Sequence, residues 1–154
     1  MSLSSSDKLI KSLPDASKGH FMKGRALAAL KRNDEAVVCF KAALNLDSAH
    51  AKEVKTGLKA IAEERKTEGN DAYHAKDYPK AIRLYSEAID IYPDEILYHS
   101  NLAAVYMMMN ELDGAIAECE KAINKTKNGG DQDSVKLAKV DSRIASAYEK
   151  KGDM

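Results

Sequence analysis

Apolar residues recur at three- and four-residue spacing in RNDEAVVCFKAAL, KDYPKAIRLYSEAIDIY and NELDGAIAECEKAI. Each stretch therefore predicts an amphipathic helix with one buried stripe. The turn Lys76-Asp77-Tyr78-Pro79 puts its proline at an early helical position, where the missing N–H costs little. A second regularity runs through the small residues. With Gly24, Gly69 and Ala103 aligned, Ala36, Ala81 and Ala115 follow twelve positions later. Phe40, Tyr85 and Cys119 come four beyond those, then Ala43, Ala88 and Ala122 three further on. Small residues at fixed places let helices approach closely, and larger apolar ones fill the space between.

A register of this kind resembles the tetratricopeptide repeat, a 34-residue pair of antiparallel helices, A and B. The expected fold is all-α, a tetratricopeptide-repeat superhelix of antiparallel helix pairs. The units fall at 17–50, 62–95 and 96–129, with a partial fourth from 138 and Ala145 in register. Pro93 then lands where a helix should stop. Two intervals depart from the period. Ala51–Ile61 (AKEVKTGLKAI) is extra, and Val54, Leu58 and Ile61 share one apolar edge. It reads as a capping helix running into the next A helix. Between Ala103 and Ala145 the interval is 42, with the excess near KTKNGGDQDS and a turn at Asn128-Gly129-Gly130.

Three domains are expected: 1–15, the end of a truncated upstream helix and a flexible N-terminus; 16–61, a last repeat and its cap; and 62–154, a second module of two full repeats and a partial third. Both ends read as cut mid-unit. SDKLIKSLPD, with Pro14, resembles the last turns of a B helix, and Lys151-Gly152-Asp153 an A-to-B turn. The chain is accordingly expected to be a piece of a longer repeat protein. Its apolar residues Leu137, Ile144 and Tyr148 would then form an uncovered strip that either drives self-association or orders poorly.

Charge and composition narrow the function. Lys plus Arg equals Asp plus Glu at 24 each, which argues against a general nucleic-acid or membrane-surface binder. No apolar run approaches membrane-spanning length, and the start lacks the apolar core of a secretory signal. Cys39 and Cys119 lack metal-ligand spacing and are expected to be buried and reduced, in keeping with a cytoplasmic setting. His20, His50, His74 and His99 share no ligand spacing. With no nucleophile motif, phosphate loop or defined carboxylate pair, no enzymatic activity, cofactor or metal is expected.

In the tetratricopeptide fold the A helices line a concave groove. Lys66 and Asn70, four apart, share one face of an A helix. Asn101 lies on the next A helix, and Lys139 and Arg143, again four apart, on the third. Three cations and two amides without counter-charge among them make an anion site. A C-terminal aspartate suits it, since one residue brings two carboxylates. These five residues resemble, place by place, the dicarboxylate clamp of co-chaperone tetratricopeptide domains. KTEGNDAY, SNLAAVY and LAKVDSRIASAY are further similar to the central module of the Hsp-organising protein (Hop) family. KGHFMKGRALAALKRNDEAVVCFKAAL is similar to the last repeat of that family's first module.

The resemblance implies that the clamp binds Glu-Glu-Val-Asp tails of heat-shock protein 90, or of heat-shock protein 70. Tyr73 either walls the peptide groove or packs, and His74 either touches peptide or faces solvent. Ser146 stands where that family's central module would carry Asn, which bears on the choice between tails. In the upstream repeat Lys18 matches a clamp lysine, but Met22 replaces the expected arginine. Two other readings stay open: a targeting arm of an immunophilin, phosphatase or J-domain adaptor, or a generic protein-interaction scaffold.

Overall fold

The computed structural model describes residues 16–46, 50–128 and 133–152. Among them are seven helices and no strand: α1 (Ala16–Ala29), α2 (Asn33–Leu46), α3 (Ala51–His74), α4 (Tyr78–Ile91), α5 (Leu97–Met108), α6 (Leu112–Lys127) and α7 (Ser134–Gly152). The expected all-α repeat architecture is thus the observed one. The chain divides into two compact units, Met1–Ile61 and Ala62–Met154. Helix α3 is continuous over 24 residues, so the predicted cap does run on into the next A helix.

In the first unit, α1 and α2 form a helical hairpin. Its tight turn depends on Lys31, at φ 61, and on the Arg32 N–H reaching the Leu27 carbonyl at 2.9 Å. Phe40 fills the centre. Its ring lies so close to two glycines that a Cβ would come within 2.7 Å of it at Gly24 and within 2.9 Å at Gly57. Val54, Leu58 and Ile61, the apolar edge read from the sequence, are all buried. Ser17, also buried, donates to the Ala43 carbonyl at 3.0 Å, satisfying a hydroxyl that burial would otherwise penalise. Lys18 is exposed and Met22 half-buried. SDKLIKSLPD and Pro14 lie outside the described residues.

In the second unit, α4 starts at a cap built by Asp77, whose carboxylate accepts from the Lys80 N–H, with Pro79 in the first turn. It stops at Tyr92, just before Pro93. Lys76 and Asn110 take up left-handed backbone at φ 61 and 60, the same place in each A-to-B turn as Lys31. Two apolar clusters hold this unit. Ala72, Ala81, Leu84, Tyr85, Leu102 and Val105 join α3, α4 and α5. Ile96, Ala103, Ala115, Ile116, Cys119, Ala122, Val140 and Ala147 join α5, α6 and α7. Each large aliphatic side chain buried in these clusters contributes about 1.5–3 kcal/mol.

Two expectations at the C-terminal end need correction. Leu137 and Ile144 are not part of an open strip: both are partly buried against the second cluster, because their side of α7 packs on α6. Tyr148 is 53% exposed, and Val135, at 66%, is the other large apolar residue open on α7. Lys151 and Gly152, read as a turn, continue the helix, and Gly152 has no left-handed φ. The turn at Asn128-Gly129-Gly130 falls mostly outside the described residues.

Candidate functional site

The second unit carries every residue of the expected clamp. On α3, Gly69 exists to admit Tyr85: a Cβ there would stand 2.7 Å from the tyrosine ring. The buried ring brings its hydroxyl onto the next residue, donating a short hydrogen bond to Asn70 Oδ1. Burial and the neighbouring Tyr73 push that hydroxyl up to about 12. It therefore stays protonated and holds the amide oxygen, leaving the half-buried Asn70 with its two N–H donors uncommitted. One turn earlier, Lys66 pairs with Glu63 at 2.5 Å, and both side chains are about one-third exposed. Tyr73 is half-buried between Tyr78 and His74, with ring centroids 6.1 and 5.6 Å away. His74 is exposed.

On α5, Asn101 is half-buried and follows the buried pair His99-Ser100. His99 Nδ1 lies 2.9 Å from Glu118 Oε2, and Lys121 donates to the other carboxylate oxygen at 3.0 Å. Burial pushes the Glu118 carboxyl up, but the hydrogen bonds from His99 and Lys121 outweigh it and hold the group below its ordinary value. This buried pairing fixes α5 against α6. A second contact fixes the start of α7: Lys136 Nζ sits 3.0 and 2.9 Å from the two oxygens of the buried Glu95.

So held, α5 and α7 enclose an open groove of about 700 Å³. Asn101, Lys139, Arg143 and Ser146 all line it, with Leu97 and Met107 among its apolar walls. Lys139 is exposed. Arg143 is half-buried, and its Nε is fully buried without a hydrogen-bond partner. Among the described residues no carboxylate forms an ion pair with Lys139 or Arg143. Beneath the groove, burial pushes the Cys119 thiol up to about 11, against the pull of Arg143.

Of the eight residues singled out from the sequence, the structure gathers these four in one groove. Lys66 and Asn70 are not on its lining: one is held by Glu63 and the other by Tyr85. Tyr73 and His74 are not on it either. Sequence reasoning missed Glu63, Tyr85 and the Glu95–Lys136 pair. The first had a signal, its three-residue spacing from Lys66 on one helix. The last had none, the two residues being 41 apart.

Residues 17–50 and 72–139 match the tetratricopeptide repeat, together about two thirds of the chain. The chain belongs to the tetratricopeptide-repeat family. It is 35% identical over 97 residues to the Hsp70-Hsp90 organising protein of Plasmodium falciparum, a match covering 63% of the chain and 17% of that relative. It is 37% identical over 91 residues to the DnaJ homolog subfamily C member 7 homolog of Schizosaccharomyces pombe, covering 58% of the chain and 17% of the relative. The chain thus spans less than a fifth of either relative's length. Among solved structures it is similar to the TPR2AB-domain:pHSP90 complex of yeast Sti1. The TM-score is 0.50 at 21% identity, over 96% of the chain and 63% of that structure. This last likeness speaks to the repeat fold.

Proposed function

We propose that the chain is a non-enzymatic co-chaperone adaptor module that holds the acidic C-terminal tail of heat-shock protein 90, or of heat-shock protein 70. In this reading Lys139 and Arg143 grip the terminal aspartate from α7, and Asn101 donates to it from α5. Lys66 and Asn70 complete the clamp from α3. One observation carries the reading: Lys139, Arg143 and Asn101 line one groove, and among the described residues no carboxylate is paired with either cation. Two cations facing one groove without a partner carboxylate leave charge-assisted hydrogen bonds for an incoming carboxylate to make. The relative named as an Hsp70-Hsp90 organising protein supports the same partner class. On this reading residues 16–61 are the last repeat and cap of an upstream module, residues 62–154 a second module, and the setting is cytoplasmic.

Charge-assisted hydrogen bonds contribute about 1.5–3 kcal/mol each. Ordering a flexible tail offsets much of that, so affinity on the order of micromolar is expected. The test is titration with the peptide Met-Glu-Glu-Val-Asp as free acid and as C-terminal amide. The free acid should bind at least about tenfold more tightly, and equal affinity would sink the clamp. Lys139→Ala and Arg143→Ala should each weaken free-acid binding by about tenfold with the thermal midpoint kept. The DnaJ-type relative favours a second reading, in which this module is the targeting arm of a J-domain adaptor. The same groove and peptide test apply, and whether a J domain accompanies this module decides between the two.

A further inference from the structure

We infer that Tyr85 is a positioning residue for the peptide site: its hydroxyl fixes the Asn70 amide so that both N–H groups, and not the oxygen, are presented to an incoming carboxylate. The inference rests on the proposed clamp and extends it to a residue on a B helix that does not touch the ligand. A free asparagine side chain can offer either its oxygen or its nitrogen, and an oxygen turned toward a carboxylate would repel it. The Tyr85 hydroxyl donates to Asn70 Oδ1, and that contact removes the choice. The ring itself is locked, since it is buried and lies against the bare backbone of Gly69.

The chain contains its own control. In the first unit Phe40 occupies the register position of Tyr85, and its ring lies against Gly24 as closely as Tyr85 lies against Gly69. Packing in this place therefore needs an aromatic ring but no hydroxyl. The residue after Gly24 is Arg25, which has no amide to orient, whereas the residue after Gly69 is Asn70. In the third unit the corresponding residues are Ala104 and Cys119, so amide and hydroxyl are absent together. The hydroxyl thus occurs where there is an amide oxygen to take it. Burial also keeps it protonated, so it remains a donor across the physiological range.

The experiment is a double-mutant cycle on the full chain with Tyr85→Phe, Asn70→Ala and both together, titrated with the free-acid and amidated Met-Glu-Glu-Val-Asp peptides. Tyr85→Phe should keep its thermal midpoint within a few degrees, because Phe40 already serves this packing role. It should lose about three- to tenfold in affinity for the free acid, the worth of one hydrogen bond. In the Asn70→Ala background the same change should cost nothing more, since the group it orients is gone. A separate readout needs no peptide: the Asn70 side-chain amide resonances should shift in Tyr85→Phe. Undiminished free-acid affinity in Tyr85→Phe would overturn the inference, as would an equal loss with and without Asn70 or unmoved amide resonances. Equal binding of both peptide forms by the unmodified chain is a different failure, which would remove the proposed clamp and this inference with it.

Discussion

At the scale of single residues, the question for each basic side chain is what already holds it. Lys139 and Arg143 line the groove without an ion-pair partner among the described residues, whereas Lys66 is bound to Glu63. Glu63 competes with a carboxylate ligand for the charge of Lys66. Because the pair is about one-third exposed, solvent screening keeps its strength modest. Glu63→Gln keeps the shape and removes the competing charge, so free-acid peptide affinity should rise by about two- to fivefold in titration. An unchanged constant would take Lys66 out of the site. The sequence made the spacing of Lys66 and Asn70 legible, because one helix fixes which residues share a face. It did not make their occupants legible. The hydroxyl on Asn70 comes from a different helix, 15 residues away, and only packing reveals that Tyr85 reaches back.

At the scale of the helix, the small-residue register was readable because close approach between helices leaves little choice of residue. The glycines are not equivalent, however, and the difference is measurable. Replacing Gly by Ala gains about 1 kcal/mol in helix propensity wherever there is room. At Gly114 the new methyl would meet Tyr106 at 3.4 Å, ordinary contact, so Gly114→Ala should be neutral or stabilising. At Gly69 it would meet the Tyr85 ring at 2.7 Å, and that ring is buried and cannot swing away. Overpacking of this kind costs about 1–3 kcal/mol, enough to outweigh the propensity gain. Gly69→Ala should therefore lower the thermal midpoint by several degrees while Gly114→Ala does not, with both followed by circular dichroism. A Gly69→Ala chain as stable as the original would mean that Tyr85 does not pack where the register puts it. The contact that anchors α7 was beyond the reach of this reasoning. Glu95 lies in the connection between α4 and α5 and Lys136 in the first turn of α7, and no periodicity connects such positions.

At the scale of the whole molecule, basic and acidic residues balance at 24 each, so there is no net charge to draw an acidic peptide from a distance. Attraction must come from the local cluster on α7, where Lys139 and Arg143 lie one turn apart. That the chain is built of helical repeats was legible throughout, because three units in register leave few other folds. That cations of α7 share a groove with Asn101 was expected from the repeat, yet the fourth-unit turn at Gly152 and the strip at Leu137 and Ile144 were not as read. A sequence pattern marks a helical face but does not say which neighbour covers it. Balanced charge also sharpens the last prediction. Raising salt from about 0.05 to 0.5 M shortens the screening length from roughly 14 to 4 Å. Free-acid peptide affinity should then fall several-fold, while the thermal midpoint of the free chain moves little. If the cluster on α7 is the source, Lys139→Ala should flatten the salt dependence as well as weaken binding. A slope unchanged in that variant would place the electrostatic attraction elsewhere on the surface.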